Sequence, residues 1–266
     1  MYCAILHSTV SAQQTSYNIH IHAVRVSNDN NSYPADITVY SLQKWIDYAN
    51  AVYKPAGVKF LFEDGDFFEL RSTLINSIDS TEGSQDWFSQ KTMLDKEVGK
   101  YPVKLLVFFI YGDSITGPQR VGFSWVKYNF IIMPGFNAAE ICGHQNIKML
   151  AHEIGHYFGL SHTFGETFTS RDTLLKRLAQ YGETYIDGDA LSSTPPDPAL
   201  YEQMECYDES GSNDTVSING VLYRVPRNNV MSYYDYPEMT ITDEQIEIIH
   251  RTLREHPFKK NLITVK

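Results

Sequence analysis

The chain of 266 residues lacks the features that would point to membranes or nucleic acids. It contains no run of 18 or more apolar residues, which excludes a membrane-spanning helix. Positive charge is scarce: 22 lysines and arginines stand against 32 aspartates and glutamates, so the formal net charge is −10. No basic stripe or basic helix is present. We therefore expect neither nucleic acid nor an anionic membrane as a partner.

Cysteine is also scarce. The chain has three cysteines, so at least one thiol is unpaired within a monomer. If Cys3 is removed with an export signal, Cys142 and Cys206 are left as a pair whose separation the sequence does not give.

Residues 1–17 carry weak features of an export signal. Tyr2 to Leu6 are largely apolar, and Val10-Ser11-Ala12 resembles a small-residue cleavage site. No positively charged region precedes them, however, and the apolar run is short. Two interpretations stay open: a remnant of a signal peptide, or a disordered start.

One segment carries more chemical information than the rest of the chain. His152, Glu153, His156, Gly159 and His162 form the pattern HExxHxxGxxH. Histidines four residues apart lie on one face of a helix, so both rings can reach the same ion. A glycine three residues later permits a left-handed turn that brings the third histidine back as a ligand. The glutamate next to the first histidine can reach a metal-bound water without being a ligand itself.

The flanking residues indicate that this segment begins as a helix. Apolar side chains recur at helical spacing and leave His152 and His156 on another face. The apolar stripe consists of Ile147, Leu150, Ala151, Ile154 and Phe158.

The ligand set predicts a catalytic zinc site. Three neutral imidazoles at about 2.1 Å leave one tetrahedral position open, whereas a structural site closes it, typically with cysteine. No cysteine lies near these histidines at finger-like spacing. Zinc lowers the pKa of its bound water to roughly 7, and Glu153 is then placed to act as general base and afterwards as acid. The predicted reaction is hydrolysis of an amide, in particular a peptide bond.

The extended motif resembles that of the metzincin metallopeptidases, and within them the chain is most similar to the pappalysin, ulilysin-like family. The matching stretches are His152 to Phe164, Asp187 to Pro198 and Asn228 to Gln245. The N-terminal pattern is also similar, with a strand, a helix and a strand that opens with Ala56-Gly57-Val58. The resemblance spans roughly residues 18 to 255.

This resemblance implies roles for two residues further along the chain. Met231 would form the apolar floor under the zinc ligands, as the methionine of the metzincin Met-turn does. Tyr233 would bind zinc or stabilise the tetrahedral intermediate. The alternative interpretation makes Met231 an ordinary core residue and Tyr233 one of 18 tyrosines.

In some members of this family a loop binds calcium, and the corresponding segment of this chain departs from the family pattern at one position. Relatives usually carry Asp before the Thr-Pro pair, whereas this chain has Ser193 before Thr194-Pro195. Asp187, Asp189 and Asp197 remain candidate calcium ligands, because hard cations require several convergent oxygens. A solvated acidic loop is the alternative.

The chain-wide pattern predicts an α+β zincin fold with a mixed, twisted sheet. An N-terminal lobe, residues 18–162, would contain the active-site helix, and a smaller, irregular C-terminal lobe, residues 163–266, would contain the Met-turn and the last helix. Together they would make one catalytic domain. The predicted strands are Asn18 to Val26, Val58 to Phe62, Val103 to Tyr111 (buried on both faces), Gly122 to Val126 and Phe130 to Met133, with a hairpin at Ile218 to Val221; the predicted helices are Thr38 to Tyr53, one within Thr81 to Lys100, Thr173 to Tyr181, and a last helix with Ile246, Ile249 and Leu253 that begins at a Thr242–Gln245 capping box.

Two further predictions concern the sheet. By resemblance, one of the strands Gly122 to Val126 and Phe130 to Met133 forms the edge on which a peptide substrate lies antiparallel; a buried hairpin is the alternative. His20 and His22 share the second face of the first strand, where we expect surface histidines rather than further metal ligands.

The predicted function is that of a secreted or periplasmic zinc endopeptidase that acts on proteins or peptides. Two alternatives remain: a non-catalytic binding module of the same fold, and a zinc amidase acting on small amides or cell-wall peptides. Asp235 and Glu238 are candidates for an acidic specificity pocket. The sequence gives no oligomeric state.

Overall fold

The computed structural model describes residues 16–78, 86–111, 124, 126–135, 147–165, 171–182, 186, 188–195, 197–198, 215–218, 220–234 and 238–265. Its strands are β1 (Tyr17–Ser27), β2 (Val58–Leu61), β3 (Phe67–Arg71), β4 (Leu105–Tyr111), β5 (Phe130–Gly135), β6 (Thr215–Ile218), β7 (Val221–Arg224) and β8 (Ile263–Val265). Its helices are α1 (Val39–Tyr53), α2 (Thr73–Asn76), α3 (Trp87–Val98), α4 (Lys148–Tyr157), α5 (Arg171–Tyr181) and α6 (Asp243–Glu255).

Strand β1 is the centre of a mainly parallel sheet. β2 pairs in parallel with the first part of β1, and β3 pairs in parallel with its second part. β4 also pairs with β1 in parallel, and β5 continues the sheet beyond β4. β8 is antiparallel to the start of β1, which makes the sheet mixed.

Strand β4 is buried on both faces, as its apolar run predicts. Leu105, Val107 and Phe109 pack into the core cluster that also contains α1 and α4. The alternate residues point into a second cluster with α2 and α3. A strand covered on both faces gains from apolar side chains at every position, which explains the absence of alternation.

Helix α1 covers the face of the sheet that also carries α4. Thr38 caps it, because the Thr38 hydroxyl accepts a hydrogen bond from the Ser41 backbone and Ser41 Oγ accepts from the Thr38 N–H at 3.0 Å. Leu42, Trp45 and Ile46 are buried in the core that α1 shares with α4. The predicted helix is confirmed.

The C-terminal segment returns to the same sheet. α6 begins at the predicted Thr242–Gln245 capping box, and Ile249 and Leu253 are buried in the core cluster of β1 and α4. β8 then pairs with β1. Residues on both sides of position 162 therefore share one core, while the division into two lobes stays a prediction.

Most of the predicted elements are confirmed, including the hairpin, in which Ile218 pairs with Val221 across a two-residue turn and Gly220 has a φ of +82°. Strands β3 and β8 and the short helix α2 were not predicted. Of the predicted strand Gly122 to Val126, the described residues Ser124 and Val126 lie outside any strand. Among the described helices, none has the length and apolarity needed to cross a membrane.

The prediction of a surface histidine at position 22 is wrong. The His22 ring is 1% exposed and lies between Phe68 and Tyr101, with ring centroids 4.2 and 3.9 Å away. The unpredicted strand β3 supplies Phe68 and covers this face of β1. His20 is half-buried, so it is closer than His22 to the predicted surface histidine.

Candidate metal centre

Helix α4 places His152 and His156 one turn apart on the same face, with ring centroids 4.8 Å apart. His162 lies beside them after the end of the helix, 4.4 Å from the His156 ring and 5.2 Å from the His152 ring. The ligand atoms of the three rings all lie within 4.8 Å of one another. The sequence-predicted triad is thus brought together in space.

Two of the three rings are oriented by backbone carbonyls. His152 Nδ1 lies 2.7 Å from the Val230 carbonyl oxygen, and His156 Nδ1 lies 2.8 Å from that of Leu160. A carbonyl oxygen only accepts, so each Nδ1 carries the proton and each Nε2 keeps a lone pair for a metal. Histidines that bind a metal usually donate the other ring N–H to a carbonyl, a carboxylate or a water in this way.

The turn after α4 explains how His162 reaches the other two rings. Gly159 has a φ of +91°, and the Leu160 and Gly159 N–H groups donate to the Gly155 and His156 carbonyls at 2.9 Å. These two bonds are the Schellman arrangement that ends a helix in a left-handed residue. A side chain at position 159 would also crowd Val126, at 3.3 Å.

The electrostatics of the triad favour neutral, ligating imidazoles. Burial lowers the pKa of His152 well below its ordinary value, and the two neighbouring histidines lower it further. Burial also lowers the pKa of His156, and it lowers that of His162 to about 3. Metal ligation requires the deprotonated ring, so these shifts suit the role.

Glu153 is buried beside the triad on α4. Burial raises the pKa of its carboxyl to about 8, while a hydrogen bond from the Ser124 N–H opposes the rise. Oε2 has no hydrogen-bond partner among the described residues. A divalent cation in the triad would favour the carboxylate form and lower this pKa. A buried carboxylate with a free oxygen is suited to accept a proton from a water at the metal position.

Met231 lies directly beneath α4. Its side chain is fully buried, and a Cβ atom on Gly155 would overlap its sulfur. The residue before it, Val230, supplies the carbonyl that orients His152. The Asn228 to Tyr233 segment thus provides both an apolar floor and a hydrogen bond to a candidate ligand.

Sequence reasoning missed the residues that hold this floor in place. Asn229 Oδ1 accepts from the Met231 N–H at 2.9 Å, and its amide exchanges two hydrogen bonds with the buried Gln245 side chain of α6. Tyr53 of α1 donates its hydroxyl to the Ala151 carbonyl at 2.7 Å. Gly155 is the one sequence signal that could have pointed to this floor. A glycine inside a helix costs about 1 kcal/mol relative to alanine, so its presence indicates a close packing contact.

Tyr233 lies at the rim of the centre and is 37% exposed. Its ring centroid is 4.9 Å from that of His162 and 5.6 Å from that of His152. Phe164 stacks on His162, at 4.5 Å with an interplanar angle of 14°, and its ring centroid lies 4.8 Å from that of Tyr233. His162 therefore packs against two aromatic rings that also contact each other.

The donor set fits a zinc ion: three imidazoles converge and a carboxylate stands beside them. The calcium prediction finds no support. Asp197 accepts hydrogen bonds from Thr163 and Tyr234, Asp189 Oδ1 accepts one from the Leu191 N–H, and Asp187 lies outside the described residues. Within the described part of the chain, the histidine triad is the one group of His, Cys, Asp and Glu side chains placed to hold a metal.

The described residues test the remaining candidates for recognition sites only in part. Glu238 is exposed, and Asp235 lies outside the described residues, so the acidic pocket stays a prediction. Strand β5 pairs with β4 in parallel, while residues 122, 123 and 125 of the other candidate edge segment lie outside the described ranges.

The chain is similar in structure to mirolysin. Mature mirolysin of Tannerella forsythia, solved in complex with a cleaved peptide, matches with a TM-score of 0.55 at 13% identity, over 93% of this chain and 95% of that one. Mirolysin in complex with compound 9 matches with a TM-score of 0.58 at 13% identity, over 93% and 96% of the two chains. No protein-family model and no curated protein matches the sequence. At this identity the likeness establishes the fold alone, and the predicted α+β metzincin fold is confirmed.

Proposed function

We propose that this protein is a zinc-dependent endopeptidase of the pappalysin-like metzincins. The observation that carries the proposal is the convergence of His152, His156 and His162 beside the buried carboxyl of Glu153. The mirolysin-like fold supports it, because that fold holds a peptide in one of the solved structures.

Each residue of the centre has a separate role in the proposed reaction. Zinc held by the three imidazoles supplies Lewis acidity for the scissile carbonyl and lowers the pKa of a water. Glu153 accepts a proton from the attacking water and returns it to the leaving nitrogen. Tyr233 donates its hydroxyl to the oxyanion as it develops. Met231 touches no reacting atom and positions the ligands from below.

Chelation and metal analysis test the cofactor. We expect one zinc per chain in metal analysis and loss of peptide cleavage with 1,10-phenanthroline, restored by added zinc. Folded protein that binds no zinc would refute the proposal.

Substitution of the glutamate tests the mechanism. Glu153→Gln keeps the size of the side chain and removes its basicity, so kcat/KM on a mixed peptide library should fall by about 10²-fold or more. Glu247→Gln, on the exposed face of α6, is the matched control and should cleave like wild type. Undiminished cleavage by Glu153→Gln would rule out the assigned base.

The same library separates the two alternatives. Zinc binding without cleavage of any peptide would favour the non-catalytic binding module. Cleavage of small acyl amides or cell-wall peptides, with intact proteins left uncut, would favour the amidase.

Export and domain organisation belong to the proposal as well. We propose that the protein is secreted or periplasmic, and that residues 18–162 and 163–266 form the two lobes of one catalytic domain. N-terminal sequencing of protein recovered from the periplasm or the medium tests export, and a start at Met1 in protein confined to the cytoplasm would argue against it.

A further inference from the structure

The three candidate ligands are held in two different ways. Two of them, His152 and His156, donate Nδ1–H to backbone carbonyls. Within the described residues, the one hydrogen-bonding contact of the His162 ring is with His156 Nε2, at 2.9 Å. Among the described residues, the His162 ring is instead packed against Phe164, which stacks on it, and against Tyr233, which makes an edge contact.

A buried carboxylate ties these surroundings together. Asp197 is fully buried, and its Oδ2 accepts a hydrogen bond from Thr163 Oγ1 at 2.7 Å. Its Oδ1 accepts a second hydrogen bond from the Tyr234 hydroxyl at 3.0 Å. Thr163 directly follows the third histidine, and Tyr234 directly follows Tyr233. Asp197 thus links the segment that carries His162 to the segment that carries Tyr233.

Two further contacts strengthen the link. The Thr163 N–H donates to the Met231 carbonyl at 3.2 Å, so the His162 segment also binds the Met-turn through the backbone. The guanidinium of Arg227 lies 5.0 Å from the centroid of the Tyr234 ring. Thr163, Tyr234 and Asp197 are buried, so water competes little for these hydrogen bonds.

We propose that Asp197 is a positioning residue that fixes the third metal ligand and Tyr233 relative to each other. The proposal rests on the proposed function and deepens it, because it explains how the last ligand and the oxyanion donor keep one geometry. Hydrogen-bond partners behind a metal ligand typically change metal affinity by about 10- to 100-fold when they are removed.

The hydrogen bonds from Thr163 and Tyr234 to Asp197 form a bridge between the two segments. Removing one of these two hydroxyls at a time tests the bridge with little change in side-chain volume. Thr163→Val and Tyr234→Phe should each weaken zinc binding by about 10-fold or more, measured by competition with a chromogenic chelator. Thr163→Ser keeps the hydroxyl and should bind zinc like wild type. The double variant Thr163→Val/Tyr234→Phe should weaken binding by less than the product of the single effects, because both changes open the same bridge.

Tyr157→Phe is the matched control. Tyr157 is also a fully buried tyrosine, and it donates to the Asn129 side chain at 2.6 Å instead of to the bridge. It should lower the melting temperature of the metal-free protein to a similar extent and leave zinc affinity unchanged. The cobalt(II) absorption spectrum gives an independent readout, which should shift in Thr163→Val and Tyr234→Phe and stay unchanged in Tyr157→Phe.

The kinetics of peptide cleavage separate positioning from general stability. If Tyr233 is displaced in Tyr234→Phe, kcat should fall while KM stays close to the wild-type value, since an oxyanion donor acts in the transition state. Zinc affinity and cobalt spectra equal to wild type in both hydroxyl variants would overturn the inference and leave the peptidase proposal standing. Weakened zinc binding in both, with no cleavage by wild type, would support the bridge and refute the peptidase.

Discussion

Met231 and Gly155 are in direct contact across the floor of the candidate centre: the Met231 sulfur occupies the place where any other residue at position 155 would put its Cβ. The Tyr53 hydroxyl lies 3.1 Å from the same place. The helix that carries two candidate ligands therefore rests on the Asn228 to Tyr233 segment with no intervening side chain.

Gly155→Ala should consequently destabilise the protein, although alanine is the better helix former. Forcing a methyl group into a packed core typically costs about 1–3 kcal/mol, which exceeds the helical gain of about 1 kcal/mol. Urea unfolding of the metal-free protein measures the net effect. Gly99→Ala is the control, because a Cβ there would meet its nearest atoms at 3.4 Å and φ is already helical at −60°. Equal stability of wild type and Gly155→Ala would mean that the Met231 side chain moves aside at no cost.

The position of the triad followed from its spacing because helical geometry alone determines which side chains share a face. His152, His156 and the turn at Gly159 depend on contacts within about ten residues of each other. The supporting residues could not be found in this way. Tyr53 and Val230 are far from α4 in sequence and contact it through tertiary packing, and Gln245 binds Asn229 of the segment beneath it.

The same distinction between local and long-range signals explains which elements of the fold were predicted and which were missed. Helix α1 and strand β4 show strong periodicity or a long apolar run, and both were predicted. Strand β3 has the burial pattern of a partly exposed edge, so its sequence gives little signal even though it covers His22. Asp197 was named only as a candidate calcium ligand or a residue of a solvated loop, because an acidic residue in a loop carries no indication of its hydrogen-bond partners.

Asn229 should affect zinc binding at the candidate metal centre through the Asn228 to Tyr233 segment. Asn229→Ala removes the acceptor for the Met231 N–H and both hydrogen bonds to Gln245, which leaves buried polar groups without partners at a cost of about 1–3 kcal/mol each. We expect lower stability together with weaker zinc binding, because Val230 and Met231 lose their support.

The control for this prediction is Asn50→Ala. The Asn50 side chain also bridges two polar groups, the N–H and carbonyl of Phe60, but it joins α1 to β2 and does not lie in the Asn228 to Tyr233 segment. Asn50→Ala should lower stability and leave the zinc dissociation constant unchanged. Equal zinc affinity in both variants would show that the Met-turn keeps its shape without Asn229.

Lys259 should make stability depend on pH. Its amino group is fully buried, donates to the Val126 and Tyr128 carbonyls and lies 3.5 Å from the centroid of the Tyr157 ring. Burial lowers the pKa of this amine to about 6. Between pH 6 and the ordinary lysine pKa of about 10.4 the unfolded chain binds the extra proton, so stability rises with pH.

Lys259→Met removes this titration and keeps most of the volume. We expect the free-energy difference between wild type and Lys259→Met to shift in favour of wild type from pH 6.5 to pH 8.5, as measured by urea unfolding. Lys260→Met, at the exposed neighbour, should show no such shift. A difference that stays constant with pH would mean that the carbonyls and the Tyr157 ring hold Lys259 as an ammonium ion.

His22 should produce a second pH dependence, on the acid side. Burial lowers the pKa of its ring, and the charge of Lys104 lowers it further, while Asp66, with Oδ1 at 3.6 Å from Nδ1, opposes the shift. Among the described residues, the His22 ring also packs against Phe68 and Tyr101. Because the folded ring resists a proton that the unfolded ring accepts below about pH 6.5, stability should fall as the pH decreases through that value.

His22→Phe removes two buried nitrogens that have no hydrogen-bond partner among the described residues and keeps an aromatic ring between Phe68 and Tyr101. We expect the free energy of unfolding of this variant to be equal to or higher than that of wild type at pH 7. The difference in favour of the variant should increase as the pH falls to 5. His20→Phe, on the same face of β1 but half-buried, serves as the control. If wild type instead becomes more stable relative to His22→Phe toward pH 5, then Asp66 stabilises the protonated ring, and burial does not decide the charge at this site.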